Sequence, residues 1–406
     1  APGVANSGEV DMARRRRSIP AESDGAASSE TAGKKEAFRF FDNREKYLMF
    51  VTTCSEKWEV AQRVGREIPF LKPTPPALNL YDAGVGDGTV LTRVLRNVHR
   101  HFPTVPFCVV GKEISMEDVR LTLEKLPDRF QEHPQLVVVL TNLNYAESTR
   151  LKVKNPRFKL PIKRWEIALD GTTAHEFDEQ VRKLNPVLTE GWQTKTSEKT
   201  GNPLYVQPSI LILYRKDHAF GLADIIPPEG GTTAGYDLII ASQPYRARLP
   251  ADIKVRNVLG PLAKSLSPGG RMIVIQSTGK DPGMEMINAL WKEEFPFATP
   301  RGDLIKSMKE TLSDSHSDLN YDALSDADSL FRYELHALPD EVGENIGTST
   351  LLAAWNAATY VAQIEDERIV DVLRDGDYLK IAHDVLNRHG GLWFEDESFL
   401  ITRGYS

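Results

Sequence analysis

The sequence predicts an α/β fold, a mostly parallel sheet with helices on both faces. Three observations carry this. Short apolar runs rich in β-branched residues recur at 77–83 (ALNLYDA), 107–111, 136–141 (LVVVLT), 236–241 (YDLIIA) and 272–276 (MIVIQ). Helical periodicity fills intervals at 90–98, 116–126 and 257–266, and strands joined through helices run parallel with helices over both faces. The first run ends in a glycine-rich turn that opens a helix, Asp82-Ala83-Gly84-Val85-Gly86-Asp87-Gly88-Thr89. Of the 406 residues, 41% are hydrophobic and 26% charged, enough apolar sequence to bury a core.

Taken in order, residues 1–35 are rich in Ala, Ser, Gly and charge without apolar periodicity, and read as a disordered tail. The run Arg14-Arg15-Arg16-Arg17 is followed by polar residues rather than the apolar stretch of a secretory signal. It reads as a solvated charge run, with an acidic or RNA partner as the alternative. Residues 36–72 form a helical cover, with Tyr47, Phe50, Val51, Trp58, Val60, Ala61 and Val64 near helical spacing. Lys72-Pro73-Thr74-Pro75-Pro76 ends it.

The core is predicted over 73–145 and 236–340. Between its halves lie residues 146–235, far longer than the ~2–6 residues such connections need. That segment has its own strand at 210–215 (ILILYR) and a helix near 176–183, and is expected to be an inserted subdomain. Helix 284–291 and strand 331–336 follow. Residues 341–406 are a helical C-terminal elaboration, with helices at 351–371 and 377–387 and a closing strand or hairpin at 392–402.

The glycine turn admits three ligands. Glycines allow positive φ and close backbone approach, and the following helix N-terminus offers unpaired N–H groups. A dinucleotide site wants G-x-G-x-x-G, but here the third glycine comes one residue early and Thr89 takes its place. A phosphate-binding P-loop wants a Lys that is absent. The third ligand is S-adenosylmethionine. The second strand ends at Lys112-Glu113, and a carboxylate there can accept from two vicinal ribose hydroxyls.

The ordered set DAGVGDG, Glu113, DLIIASQPY and LSPGGRMIVI resembles class I S-adenosylmethionine-dependent methyltransferases, over 78–144 and 236–277. The resemblance implies a Rossmann-like seven-stranded sheet of order 3-2-1-4-5-7-6 with strand seven antiparallel. It implies that Gly84, Gly86 and Gly88 pass under the cofactor's methionine part, that Asp82 contacts that part directly or through water, and that Glu113 holds the ribose. The family's adenine contact after strand three is often an Asp. Here Thr141-Asn142-Leu143-Asn144 stands there, so Asn142 and Asn144 are the candidates, an amide oxygen accepting from the exocyclic amine.

The fourth strand delivers its end to the reacting methyl. That end, Ser242-Gln243-Pro244-Tyr245, resembles the N/D/S-P-P-Y/F motif of members that methylate amino groups on planar systems, with Gln243 in place of the first Pro. By that likeness Ser242 and the Gln243 carbonyl would accept from the acceptor amine and Tyr245 would stack; the alternative is a plain chain reversal. Asp217 and His218 are candidate bases, or simple loop residues. The run Arg150, Lys152, Lys154, Arg157, Lys159, Lys163, Arg164 contains no acid, and could grip an acidic substrate or line a solvated face. Trp355 and Tyr360 are assigned to packing in at least one case.

The expected activity is methyl transfer by in-line displacement to nitrogen or oxygen of a small molecule. An RNA or protein acceptor stands second and a non-catalytic cofactor-binding scaffold third. Net charge of -7 argues against a chain coated for nucleic acid. The two cysteines, Cys54 and Cys108, lack metal-ligand spacing and read as reduced buried thiols. No apolar run approaches the ~20 residues of a membrane span. Cytoplasmic location, no metal and no membrane partner are the resulting expectations.

Overall fold

The computed structural model describes residues 44–153, 160–198, 201–336 and 346–405. Twelve strands appear in chain order. They are β1 (Leu78–Asp82), β2 (Phe107–Lys112), β3 (Leu136–Thr141), β4 (Lys163–Leu169), β5 (Thr194–Thr196) and β6 (Pro203–Tyr205), then β7 (Ser209–Arg215), β8 (Tyr236–Ser242), β9 (Leu266–Ser277), β10 (Leu319–Asp322), β11 (Leu330–Glu334) and β12 (Trp393–Arg403). The main sheet has ten strands in the order β10-β12-β9-β8-β1-β2-β3-β7-β4, with β11 also on β12. The pairs among β3, β2, β1, β8 and β9 are parallel. Strand β12 runs antiparallel to β9.

Seven strands were expected, and the excess has two sources. Strands β7 and β4 come from the 146–235 segment and extend the β3 edge, β7 antiparallel to β3 and β4 parallel to β7. That segment therefore continues the sheet instead of standing apart as a subdomain. Every residue of β7 is buried, so it covers the flank of β3 that would otherwise expose unpaired backbone groups. At the other edge, two short strands, β10 and β11, pair with different stretches of β12.

Alternation along the central strands builds a core on each face. Leu78, Leu80 and Val109 pack on one side, and Tyr81, Cys108 and Val110 on the other. A third cluster joins the first helix, Arg44–Thr53, to the C-terminal helices through Phe50, Trp355 and Tyr360. The helical cover is two helices, Arg44–Thr53 and Glu56–Gly65.

Local departures have local causes. The predicted 351–371 helix is two, Thr348–Val361 and Asp366–Asp375, broken where Gln363 takes φ 54°. The predicted 257–266 helix is a π-helical turn, Val255–Leu259, followed by Gly260–Ala263. Pro261 there offers no N–H to the regular ladder. The 266–270 turn is part of β9, absorbed by an irregularity against β8 with Gly269 at φ 76°. The closing element is one strand, β12, and the helix Arg301–Leu312 had no counterpart in the sequence reading. The expected tail at 1–35 lies outside the described residues. No helix among the described residues is long and apolar enough to cross a membrane.

Candidate functional site

The carboxyl ends of β1, β2 and β8 open onto a cleft of about 600 Å³, which adjoins an inner chamber of about 70 Å³. Lys57, Gly84, Ser242, Gln243 and Tyr360 line both. The glycine turn forms the floor. Gly86 and Gly88 take φ 56° and 79°, a region that disfavours side chains. A Cβ on Gly86 would lie 2.5 Å from the Tyr47 hydroxyl, and one on Gly88 2.9 Å from Thr122 Cα. A Cβ on Gly84 would meet nothing within 4 Å, because it would project into the cleft. Gly88 is not among the cleft-lining residues. Of the three glycines expected under the cofactor, Gly84 and Gly86 line the cleft, whereas Gly88 packs the helix start on Thr122.

Carboxylates surround this turn. Asp82 ends β1, buried, and accepts from Gly84 N at 3.3 Å. Burial pushes its pKa up to about 7, the Gly84 N–H and Lys57 oppose this, and Glu113 adds to it. Glu113 ties the turn to the end of β2: Gly86 N donates to Oε2 at 2.9 Å, and the N–H groups of Ile114 and Ser115 donate to Oε1 at 2.8 and 2.9 Å. Asp118 lines the cleft, and burial with the nearby charges of Glu113 and Asp87 pushes it up. Burial would also raise Asp87, but Lys57, Lys125 and Thr89 hold it below its ordinary value. Asp87 receives Lys125 and stands 3.4 Å from Thr89 N, so a carboxylate of the chain itself occupies the start of the helix Thr89–His101.

Two cations answer them. Burial alone would lower Lys57, but Glu56, Asp87 and Asp118 outweigh it and hold its ammonium charged. Lys112 sits 4.8 Å over the Tyr145 ring, and burial lowers its pKa against the pull of Glu113. The Tyr47 hydroxyl accepts from Asp87 N at 2.9 Å, so the first helix also grips the turn.

At the end of β8, Gln243 takes φ 47° while its N–H donates to Ile275 O at 2.9 Å. Tyr145 Oη donates to the Pro244 carbonyl at 2.7 Å. Tyr245 lines the cleft but is mostly buried, its hydroxyl donating to Gln276. Hairpin residues Asn202 to Tyr205, with Arg246 and Asn257, complete the wall.

Several predicted residues are placed differently. The Asn142 amide is consumed by the fold. Its Nδ2 donates to Gly191 O and Gln207 O, both at 2.8 Å, and its Oδ1 accepts from Ser209 N at 2.9 Å. It staples β3 to the inserted segment, which leaves its side chain ill-suited to an adenine. Asn144 caps the short helix Tyr145–Ser148, its Oδ1 accepting from Glu147 N at 3.1 Å. Asp217 and His218 follow β7, which runs antiparallel to β3, with Tyr214 opposite Val137. They therefore lie at the sheet edge opposite the cleft, and Asp217 pairs with Arg215. Of the basic run, Lys163 pairs with Glu190 and Arg164 with Glu166, while residues 154–159 lie outside the described residues.

The sequence reading missed Tyr47, Lys57, Lys112, Asp118, Tyr145 and the cleft role of Tyr360. Lys112 was adjacent to Glu113, and Asp118 completed a Ser115-x-x-Asp helix start; neither signal says which way a side chain faces. Cys54 and Cys108 are free and buried, and burial pushes each thiol up to about 12. Among the described residues no group of three or more His, Cys, Asp or Glu could hold a metal ion.

No protein-family description matches the chain, and no curated protein does. Solved structures to which the chain is similar include a geranyl diphosphate methyltransferase in complex with GPP and sinefungin, at 10% identity and TM-score 0.31, over 84% of this chain and 78% of that one. PKMT2 from Rickettsia typhi, in complex with AdoHcy, is 11% identical at TM-score 0.29, over 84% and 52%. The rRNA methyltransferase aviRa from Streptomyces viridochromogenes is 16% identical at TM-score 0.20, over 61% and 77%. Likeness at this level does not bear on the chemistry of the cleft, which follows from its own side chains.

Proposed function

We propose that the chain is an S-adenosylmethionine-dependent methyltransferase acting on a nitrogen or oxygen of a small molecule. The carboxylate-lined glycine turn carries this reading. Asp82, Glu113 and Asp118 crowd the floor, and burial, with the charge of Glu113, pushes the first and last up against the pull of Lys57. A pyrophosphate would meet those carboxylates and find the helix start taken by Asp87. A cation relieves the same crowding. This favours a sulfonium carrying an ammonium over a dinucleotide.

The residues present fit that group. Gly84 leaves open space above the turn. A carboxylate offers about four lone-pair sites, so Glu113, which already accepts three backbone N–H groups, keeps about one site for a ribose hydroxyl. Asp82 suits the ammonium. Asn144, at the rim, is the remaining polar candidate near the adenine. When bound, the cofactor supplies a methyl on a good leaving group.

The chain's task is then to position the acceptor, which is worth up to ~7–11 kcal/mol in such reactions. Ser242 and the Gln243 carbonyl stand at the junction of cleft and chamber, suited to accept from an amine or hydroxyl. Tyr145 steadies them through Pro244. A volume of about 600 Å³ is within the ~300–1,000 Å³ of small-molecule sites, which favours a small acceptor over RNA or protein.

Calorimetry with S-adenosylmethionine tests the reading, with saturable binding that Glu113→Ala abolishes as the expected result. Labelled-methyl transfer into a metabolite extract then separates an enzyme from a binding scaffold. Transfer into RNA alone would remove the small-molecule assignment.

A further inference from the structure

The turn at the end of β8 is held from behind by two cross-strand pairs, one on each face of the sheet. Ser277 lies opposite Asp396 and Gln276 opposite Glu397 in the antiparallel β9–β12 ladder. Successive strand residues face opposite sides, so the two pairs address different faces. On one, Gln243 Nε2 donates to Ser277 Oγ at 3.0 Å and reaches Asp396 at 3.4 and 3.5 Å. On the other, Tyr245 Oη donates to Gln276 Oε1 at 3.0 Å, and Gln276 Nε2 donates to Glu397 Oε1 at 2.8 Å. All four clamp residues are buried.

The faces are anchored differently. Glu397 accepts from Arg301 N at 2.8 Å and Arg301 Nη1 at 3.0 Å, so the guanidinium and the start of the helix Arg301–Leu312 balance its charge. Asp396 is fully buried and pairs with no cation among the described residues, and Glu56 and Asp281 lie near enough to disfavour its charge further. Burial first, then these neighbouring carboxylates, push its carboxyl well above the ordinary value, while the hydrogen bonds of Ser277 and Gln243 oppose this. Gln243 needs such a hold, because φ 47° is a strained backbone conformation for a non-glycine residue and persists only where its surroundings fix it.

We propose that Asp396 and Glu397 are positioning residues. Through Gln243 and Tyr245 they fix the direction in which Ser242, the Gln243 carbonyl and the Tyr245 ring meet the methyl acceptor. The assignment rests on the methyl-transfer reading, but the clamp itself can be tested without it. It also accounts for the departure at Gln243: a proline there could not reach Ser277 and Asp396.

Hydrogen–deuterium exchange on the full chain, free of ligand, is the first measurement. Asp396→Val and Glu397→Gln should speed exchange of the Gln243 amide by about tenfold or more, with melting still cooperative. Asp396→Asn, whose amide oxygen can still accept from Gln243 Nε2, should leave it protected. Unchanged exchange in Asp396→Val, or Asp396→Asn as disruptive as Asp396→Val, would overturn the proposal. Calorimetry with S-adenosylhomocysteine and labelled-methyl transfer into a metabolite extract follow. Transfer should fall about 100-fold in Asp396→Val and Glu397→Gln, with S-adenosylhomocysteine affinity unchanged and Asp396→Asn rescuing. A matching loss of that affinity would assign the pairs to general stability and sink the positioning role. Absence of binding by the unaltered chain refutes the methyl-transfer reading instead, and with it the acceptor role, even where exchange supports the clamp.

Discussion

Lowering the pH from 8 to 6 should weaken S-adenosylmethionine binding about tenfold through Asp82. Burial pushes this carboxyl from its ordinary 3.8 up to about 7 in the ligand-free chain. A cation beside it favours the ionised form and returns it toward the ordinary value. Binding therefore releases a proton wherever the free form holds one. With a free-state value of 7, about nine in ten copies are protonated at pH 6 and one in ten at pH 8, a difference of about tenfold or ~1.4 kcal/mol. The assay is calorimetry in two buffers of different ionisation enthalpy, which counts the protons. The ligand's own amine titrates in the same range, so the contrast with Asp82→Asn isolates the protein's step, and Asp118→Asn separates the second raised carboxyl. The sign for stability is opposite. Asp82 is raised on folding, so the unfolded chain ionises first and stability falls as pH rises from 3.8 to 7. Asp82→Asn should then stabilise the free chain at pH 8, by up to about 4 kcal/mol, while weakening binding. Affinity that stays flat from pH 6 to 8 after subtraction of Asp82→Asn would refute the reasoning.

Other outcomes follow from single contacts. Gly84→Ala should melt like the unaltered chain yet lose cofactor binding in calorimetry, since its Cβ has open space only in the cleft. Gly88→Ala should lower stability by about 1–3 kcal/mol in urea unfolding, because φ 79° and Thr122 Cα at 2.9 Å both oppose a side chain. Asn142→Leu should cost about 2–5 kcal/mol by the same assay, leaving two carbonyls and one N–H buried without their partner. His133, buried against Phe107 and accepting or donating at His99, is lowered to about 4, chiefly by burial. The unfolded chain then binds the proton first as pH falls. Stability should drop between pH 6.5 and 4 by up to about 3 kcal/mol, and His133→Phe should flatten that part of the profile in thermal melts.

The central strands were legible because each is a run of apolar residues at a position where both faces are covered, and their order followed the alternation with helices. The glycine turn and Glu113 were legible for a different reason: positive φ and close packing restrict the residue types, so composition marks the place. Strand β4 was not, because most of Lys163–Leu169 is half-exposed and three of its residues are charged, and its pairing is with β7, a partner forty-odd residues on.

 The β4 burial pattern confirms why: only Leu169 is buried there, so no apolar alternation marks the strand. The Asn142 assignment failed because a loop amide can serve a ligand or a backbone equally well, and only the inserted segment, folded against β3, decides between them. Lys57, Tyr47 and Tyr360 reach the cleft from helices whose apolar periodicity reports packing and not the outlook of one polar edge.

The buried carboxyls divide by whether a cation can reach them, and this links the site to the stability of the chain. Asp87 and Glu397 have fixed cationic partners, Lys125 and Arg301. Asp82 and Asp118 open onto the inner chamber and the cleft respectively, carry no ion pair among the described residues, and are raised by burial against the pull of Lys57. Among the described residues Asp396 touches no cation, and it does not line the larger cleft. Raised carboxyls of the second kind weaken the free fold near neutral pH, and the same free energy is recovered when a cationic ligand arrives. Asp396 gains nothing from such a ligand, so its burial must be offset within the fold, by the hydrogen bonds it shares with Ser277 and Gln243. That separation implies that the pH response of ligand affinity follows Asp82 and Asp118, while Asp396 serves the order of the acceptor turn.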